Sequence, residues 1–129
     1  MEEFGSVVEE RSSVYNIKHR AFYFSRDIIL FVGKQKIERT FSSLYDLLVR
    51  SATFISANLV EGIAEASKND FIKFHTIALK SANETKYWLS LINETLTIDK
   101  QEVNGLIKEA NEIANIIGSI VINCKKNSL

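Results

Sequence analysis

Apolar residues recur at intervals of three and four in four separate stretches of this chain, the pattern of amphipathic α-helices. The chain has no proline and five glycines, which suits long helices because proline costs about 3 kcal/mol inside one. Phe22 and Ile29 are expected to widen the apolar stripe of the first helix. That stripe consists of Val14, Ile17, Ala21, Phe24, Ile28 and Phe31. The pattern predicts an all-α protein.

The boundaries of the other three helices are marked by capping residues and polar turns. Ser67 and Asp99 are expected N-caps, since Asp70 and Glu102 follow three residues later, as in a capping box. Short connections between four helices predict an antiparallel up-down four-helix bundle. We expect one domain over residues 13–129, preceded by a flexible acidic segment over residues 1–12.

Charge and cysteine content bound the compartment and the partners. The formal net charge is zero, so no overall field draws the molecule to nucleic acid or to an anionic membrane. A single cysteine, Cys124, allows no internal disulfide and suits a reducing compartment. No apolar run reaches the roughly 20 residues of a membrane span. We therefore expect a cytoplasmic protein that does not insert into a membrane.

The sequence lacks the motifs of metal-binding bundles and of catalytic sites. The two histidines, His19 and His75, lack a glutamate three residues earlier, so the Glu-x-x-His pairs of di-metal bundles are missing. His75 is expected to be a partly buried, hydrogen-bonded side chain rather than a ligand. No phosphate-binding glycine loop or nucleophile motif occurs. We expect no metal, no cofactor and no catalytic residue.

A basic stretch lies between Lys18 and Arg39, where six basic residues stand against two acidic ones. Such cations can hold phosphates, and the interleaved Phe22 and Tyr23 can stack on bases. The same run is typical of the solvent-facing side of an amphipathic helix, and both interpretations stay open. The candidate nucleic-acid-binding residues are Arg20, Arg26, Lys34, Lys36 and Arg39.

A second polar group occupies positions on the second and third helices that the pattern would bury. It is either a solvated face with a hydrogen-bonded network that sets helix register or a ligand site. The alternative function that follows is a small-molecule-binding or enzymatic bundle using Asn58, Glu61 and Glu84. The complete group is Arg50, Asn58, Glu61, Lys80 and Glu84.

The fourth helix is apolar on two flanks, because Ile107, Ala114 and Val121 lie beside its main stripe. We expect this surplus, with Phe22, Tyr23 or Trp88, to lie exposed as a patch that monomers rarely tolerate. Burial against identical chains would produce a closed homo-oligomer. A thick intramolecular core is the alternative.

Residues 50–62 (RSATFISANLVEG), 67–72 (SKNDFI), 77–85 (IALKSANET) and 87–89 (YWL) resemble the signature of a known family. It comprises the bacterial four-helix-bundle proteins encoded in 23S ribosomal RNA intervening sequences. The resemblance implies an up-down bundle that assembles into a ring-like homo-oligomer, often a pentamer. Relatives include the accessory protein of diversity-generating retroelements, which binds a reverse transcriptase and nucleic acid through a basic surface.

The residues and the resemblance together predict a class of function. No catalytic residue of the family carries over to this sequence. We expect a non-catalytic, oligomeric binding or scaffold protein that contacts RNA or an RNA-handling protein partner.

Overall fold

The structure, a computed structural model, describes the backbone of residues 6–65 and 67–127 and the side chains of residues 16–65 and 67–127. It contains four α-helices, and no strand occurs within these residues. A short 3-10 helix, Arg39–Phe41, precedes the second of them. The predicted all-α four-helix fold is confirmed. The helices are α1 (Ser6–Lys34), α2 (Ser42–Ala64), α3 (Lys68–Thr95) and α4 (Lys100–Lys126).

Side-chain caps begin the third and fourth helices where the sequence predicts them. The hydroxyl of Ser67 accepts a hydrogen bond from the backbone N–H of Asp70 at 3.3 Å. The carboxylate of Asp99 accepts from the N–H groups of Gln101 and Glu102 at 3.0 and 3.2 Å. These bonds satisfy donors that have no partner inside the helix, and they confirm both predicted N-caps.

Each helix packs against two others, α1 on α2 and α4, and α3 on α2 and α4. Later residues of one helix contact earlier residues of the next, the order that helices of opposite direction give. Two contacts show this order for three of the helix pairs, and between α2 and α3 it follows from the Ser51–Thr85 hydrogen bond and the approach of Gly62 to His75. The contacts join Ser25 with Ala52, Phe31 with Tyr45, Ser51 with Thr85, Lys86 with Asn111, Asn93 with Asn104, Arg20 with Glu109 and Lys34 with Glu102.

The hydrophobic core is one cluster to which all four helices contribute. Within α1, the five described stripe residues from Ile17 to Phe31 are at most 1% exposed, and Val14 lies outside the described side chains. The expected widening of that stripe is wrong, because Phe22 and Ile29 are 59% and 50% exposed. They lie beside the single line of residues that α1 turns toward the core, so they face outward.

The apolar surplus of α4 is absorbed inside the single chain. Ala114 and Val121 are buried, and Ile107 and Trp88 pack partly buried against the core. The expectation of an exposed patch on α4 is therefore wrong, and the thick-core alternative describes this helix. A helix between two neighbours presents a wide arc to the interior, which accommodates both apolar flanks.

The N-terminal segment expected to be flexible covers residues 1–12. Residues 1–5 lie outside the described part of the chain, and α1 begins at Ser6. The flexibility of this segment stays a prediction.

Candidate functional site

The predicted nucleic-acid-binding residues of α1 are largely engaged with acidic side chains. Arg20 donates two hydrogen bonds to the carboxylate of Glu109, at 2.6 and 2.7 Å, and a third to Glu112. The bonds to Glu109, and then to Glu112, raise the pKa of Arg20 above its ordinary value. The Nζ atom of Lys34 lies 2.7 Å from a carboxylate oxygen of Glu102. These two cations therefore join α1 to α4.

Of the three other candidate nucleic-acid-binding residues, Arg26 has an acidic partner. Arg26 lies 3.1 Å from Asp27 and places its guanidinium 4.9 Å from the ring centroid of Tyr23. Lys36 and Arg39 are exposed at the start and end of the α1–α2 connection. The five cations thus do not form one continuous positive strip.

The predicted polar cluster of α2 and α3 is not buried. Asn58 is half-buried, and its amide donates to the carbonyl of Phe54 one turn earlier, at 2.8 Å. No hydrogen bond or ion pair between members of the cluster occurs among the described residues. The interpretation as a buried network is corrected, since these side chains face solvent: Arg50, Glu61, Lys80 and Glu84.

Three buried hydroxyls between α2 and α3 lie one position further along the helix than members of the predicted cluster. Ser51, Ser81 and Thr85 are at most 4% exposed, and the hydroxyls of Thr85 and Ser51 are 2.8 Å apart. They directly follow Arg50, Lys80 and Glu84 in the sequence. One residue rotates a helix by about 100°, so Arg50, Lys80 and Glu84 point away from the core beside these hydroxyls, as the solvated-face alternative expects.

His75 is the one fully buried titratable side chain among the described residues. It is 0% exposed, stacks on Phe71 with 3.9 Å between ring centroids, and donates from Nδ1 to the Phe71 carbonyl at 2.8 Å. Burial lowers its pKa, and Nε2 has no protein partner within the described residues. Across those residues no group of three or more His, Cys, Asp or Glu side chains could hold a metal ion.

The large apolar side chains that are exposed in the described chain are concentrated on α1 and α2. Phe22 and Tyr23 are 59% and 51% exposed, and their rings contact edge to face. Leu30 is 58% exposed and Phe54 is 51% exposed. We call the complete set the apolar outer face: Phe22, Tyr23, Ile29 and Leu30 on α1, with Leu47, Phe54 and Val60 on α2.

Helical spacing groups these exposed residues. Residues seven apart lie two turns along the same side of a helix, as with Tyr23 and Leu30 on α1 and with Leu47 and Phe54 on α2. The Ser25–Ala52 hydrogen bond and the Phe31–Tyr45 ring contact set the register between the helices. That register places Tyr23 level with Phe54 and Leu30 level with Leu47. Leu30 lies on the side of α1 next to α4, where it lines a groove with Leu106 and Glu109.

The segment that contains α2 is apolar over a length that could cross a membrane. Arg39–Ala64 passes the length and hydropathy criteria for a membrane span, with a mean hydropathy of 1.3. The core helix of a soluble protein passes the same criteria, and Leu48, Ile55 and Leu59 indeed belong to the core. However, only 33% of its most apolar window is buried inside the chain. The large apolar residues of α2 that are exposed are Leu47, Phe54 and Val60.

Sequence reasoning missed most of this surface. The available signal was the seven-residue spacing of Tyr23 with Leu30 and of Leu47 with Phe54, outside the main stripes. Only the packed bundle shows which apolar positions the core leaves over.

Comparison with known proteins identifies the family. The 23S rRNA-intervening sequence protein model matches residues 14–119. The chain is similar to the crystal structure of a protein of unknown function from the S23 ribosomal protein family of Bacteroides thetaiotaomicron VPI-5482, with 32% identity and a TM-score of 0.72 over 81% of this chain and 97% of that one. Among curated proteins none matches significantly. The chain therefore belongs to the 23S rRNA-intervening sequence protein family.

Proposed function

We propose that this protein is a non-catalytic scaffold that works as a homo-oligomer, with subunits joined through the apolar outer face. The oligomer is a closed ring, and the family resemblance suggests five subunits. Closed symmetry covers every copy of the surface and leaves no unsatisfied end. The ring presents its other surfaces to RNA or to an RNA-handling protein partner in the cytoplasm.

The concentration of exposed apolar side chains on two adjacent helices carries this proposal. Eight of the ten large apolar residues exposed in the described chain lie on α1, on α2 or in their connection. Scattered exposed apolar residues are ordinary, whereas their concentration on two neighbouring helices is typical of an interaction surface. The aromatic residues among them are of the type enriched at protein interfaces.

The structure offers little support for the alternative, an enzymatic or small-molecule-binding bundle using Asn58, Glu61 and Glu84. Asn58 is bonded to its own helix, and the two carboxylates are exposed. Three grooves on the described surface are lined by other residues. A ligand site gathers polar groups in a concave pocket, and these three do not meet in one.

Contact with RNA through the five candidate cations stays a prediction, which two of these residues support best. Arg20, Arg26 and Lys34 have acidic partners, and each would exchange a carboxylate for a phosphate on binding. Lys36 and Arg39 are exposed and are the best placed of the five to meet RNA.

Light scattering coupled to size-exclusion chromatography tests the oligomer. The wild type at micromolar concentration should elute as a discrete multiple of its 14.7 kDa chain mass. A variant with Leu30→Glu and Phe54→Glu should elute as a folded monomer, because each interface would bury charges without partners.

Ile122→Glu provides the matched control. Ile122 is 55% exposed on α4, outside the apolar outer face, so this variant should keep the wild-type mass. A monomeric wild type would refute the proposal, as would a double variant with unchanged mass.

A further inference from the structure

An open groove of about 580 Å³ runs along the outside of the bundle between α3 and α4. Its residues recur at intervals of three or four, which places them on one side of each helix. A hydrogen bond of 3.2 Å from Lys86 to the side-chain carbonyl of Asn111 links its walls. We call it the α3–α4 groove, formed by Asn83, Lys86 and Tyr87 on α3 and Asn104, Lys108 and Asn111 on α4.

The α3–α4 groove is positive although the chain is neutral. Two lysines line it and no carboxylate does; neither Lys86 nor Lys108 belongs to a salt bridge of the described residues. The acidic neighbours on α4, Glu109 and Glu112, bond to Arg20 on the α1 side. These carboxylates therefore neutralise the charge of Arg20 and not the charges of the two groove lysines.

The asparagines of the groove suit an extended polypeptide. The side-chain oxygens of Asn104 and Asn111 accept hydrogen bonds from Asn93 and Lys86, so their amide N–H groups are the donors available to the carbonyls of a peptide backbone. Asn104 and Asn111 are seven residues apart, about 10 Å along the helix. Three residues of extended chain also span about 10 Å, so both amides can bond to one backbone.

The ring of Tyr87 supplies an apolar contact surface beside these polar groups. Its ring is 59% exposed and packs edge to face against the partly buried Trp88, with 4.9 Å between centroids. The contact with Trp88 holds the ring in place at the groove. An apolar ligand side chain can pack on the ring without ordering it first.

We propose that the α3–α4 groove binds an extended acidic peptide segment of a protein partner. Carboxylates of the segment pair with Lys86 and Lys108, its backbone bonds to Asn104 and Asn111, and an apolar side chain packs on Tyr87. Single-stranded RNA suits the groove less well, because such sites combine cations along the strand with successive aromatic platforms. The groove has two cations and one exposed ring. The inference does not depend on self-association.

Selection from a phage-displayed library of random octapeptides tests the proposal. The full chain should enrich peptides that contain two or more aspartates or glutamates and an apolar residue. Fluorescence anisotropy with the enriched peptides should show at least tenfold weaker binding to the variant Lys86→Glu/Lys108→Glu, because the charge complementarity is reversed. Tyr87→Ala should weaken binding about fivefold.

The variant Lys36→Glu/Lys126→Glu is the matched control, since it changes the net charge equally with two exposed lysines outside the groove. It should bind the enriched peptides within twofold of the wild type. Circular dichroism confirms that all variants are folded. The proposal is overturned if no peptide is enriched, or if the groove and control variants bind equally well. It is also overturned if a random 20-nucleotide RNA binds through the groove lysines and the peptides do not.

Discussion

At the residue scale, α2 and α3 approach each other closely where Gly62 faces His75. A Cβ atom built on Gly62 would lie 2.8 Å from Nδ1 of His75 and 3.1 Å from Cβ of Phe74. We expect Gly62→Ala to lower the free energy of unfolding by about 1–3 kcal/mol, because the buried ring has no room to move. Urea denaturation measures the loss.

Gly118→Ala is the matched control for this prediction. Nothing lies within 4 Å of a Cβ atom at Gly118, in the middle of α4. Alanine there should raise the free energy of unfolding by about 0.5–1 kcal/mol through helix propensity. Equal effects at both positions would show that the close approach at Gly62 does not constrain the fold.

His75 should make stability depend on pH. Burial lowers its pKa in the folded state, whereas the unfolded chain binds the proton with a pKa of about 6.5. The free energy of unfolding should therefore be independent of this group above pH 6.5. It should fall as the pH drops from 6.5 toward the lower folded-state pKa, because the unfolded state then binds more protons.

Urea titrations at pH 7.5, 6.5 and 5.5, at one protein concentration, measure this slope. His75→Leu should flatten it, and His19→Leu should preserve it because His19 is exposed. The same slope in both variants would assign the pH dependence to another group.

At the scale of the elements, α3 and α4 each bury core side chains completely. Leu89 of α3 and Ile113 of α4 are 0% exposed. Leu89→Ala or Ile113→Ala should each lower the free energy of unfolding by about 2–5 kcal/mol, through lost burial and the cavity left behind. Ile122→Ala, on the exposed side of α4, should change it by no more than about 0.5 kcal/mol.

Chemical denaturation monitored by circular dichroism checks these values. Changes within about 0.5 kcal/mol at both Leu89 and Ile113 would mean that the core-facing sides of α3 and α4 are assigned wrongly.

The polar positions of α2 and α3 show where pattern reasoning loses accuracy within an element. The apolar stripe of a helix is wide enough that its edges tolerate an error of one residue, about 100° of rotation. Arg50 and Ser51 are both adjacent to apolar positions, yet only Ser51 is buried. The shorter hydroxyl fits between closely packed helices and bonds to Thr85, whereas the guanidinium of Arg50 reaches solvent.

At the scale of the whole molecule, the bundle separates two kinds of outer surface. The apolar outer face occupies α1 and α2, and the polar α3–α4 groove occupies the other pair of helices. Between them, Arg20 and Lys34 join α1 to α4 through ion pairs. In the proposed scaffold, the subunits associate through α1 and α2, and the groove on the other pair of helices stays open to the proposed peptide.

The sequence by itself determined the helices, their caps at Ser67 and Asp99, the main core stripes and the family. Those features depend on local periodicity and on short-range hydrogen bonds, which a single chain segment already contains. Only the tertiary structure decided that Arg20 forms an ion pair with Glu109. It also decided that Ala114 and Val121 are buried in the core, whereas Phe22 and Ile29 are exposed. Arg20 and Glu109 are 89 residues apart, and the two apolar outcomes depend on which arc of each helix meets a neighbour. Periodicity within one helix carries no information on which residue pairs with Arg20 or on which arc of a helix meets a neighbour.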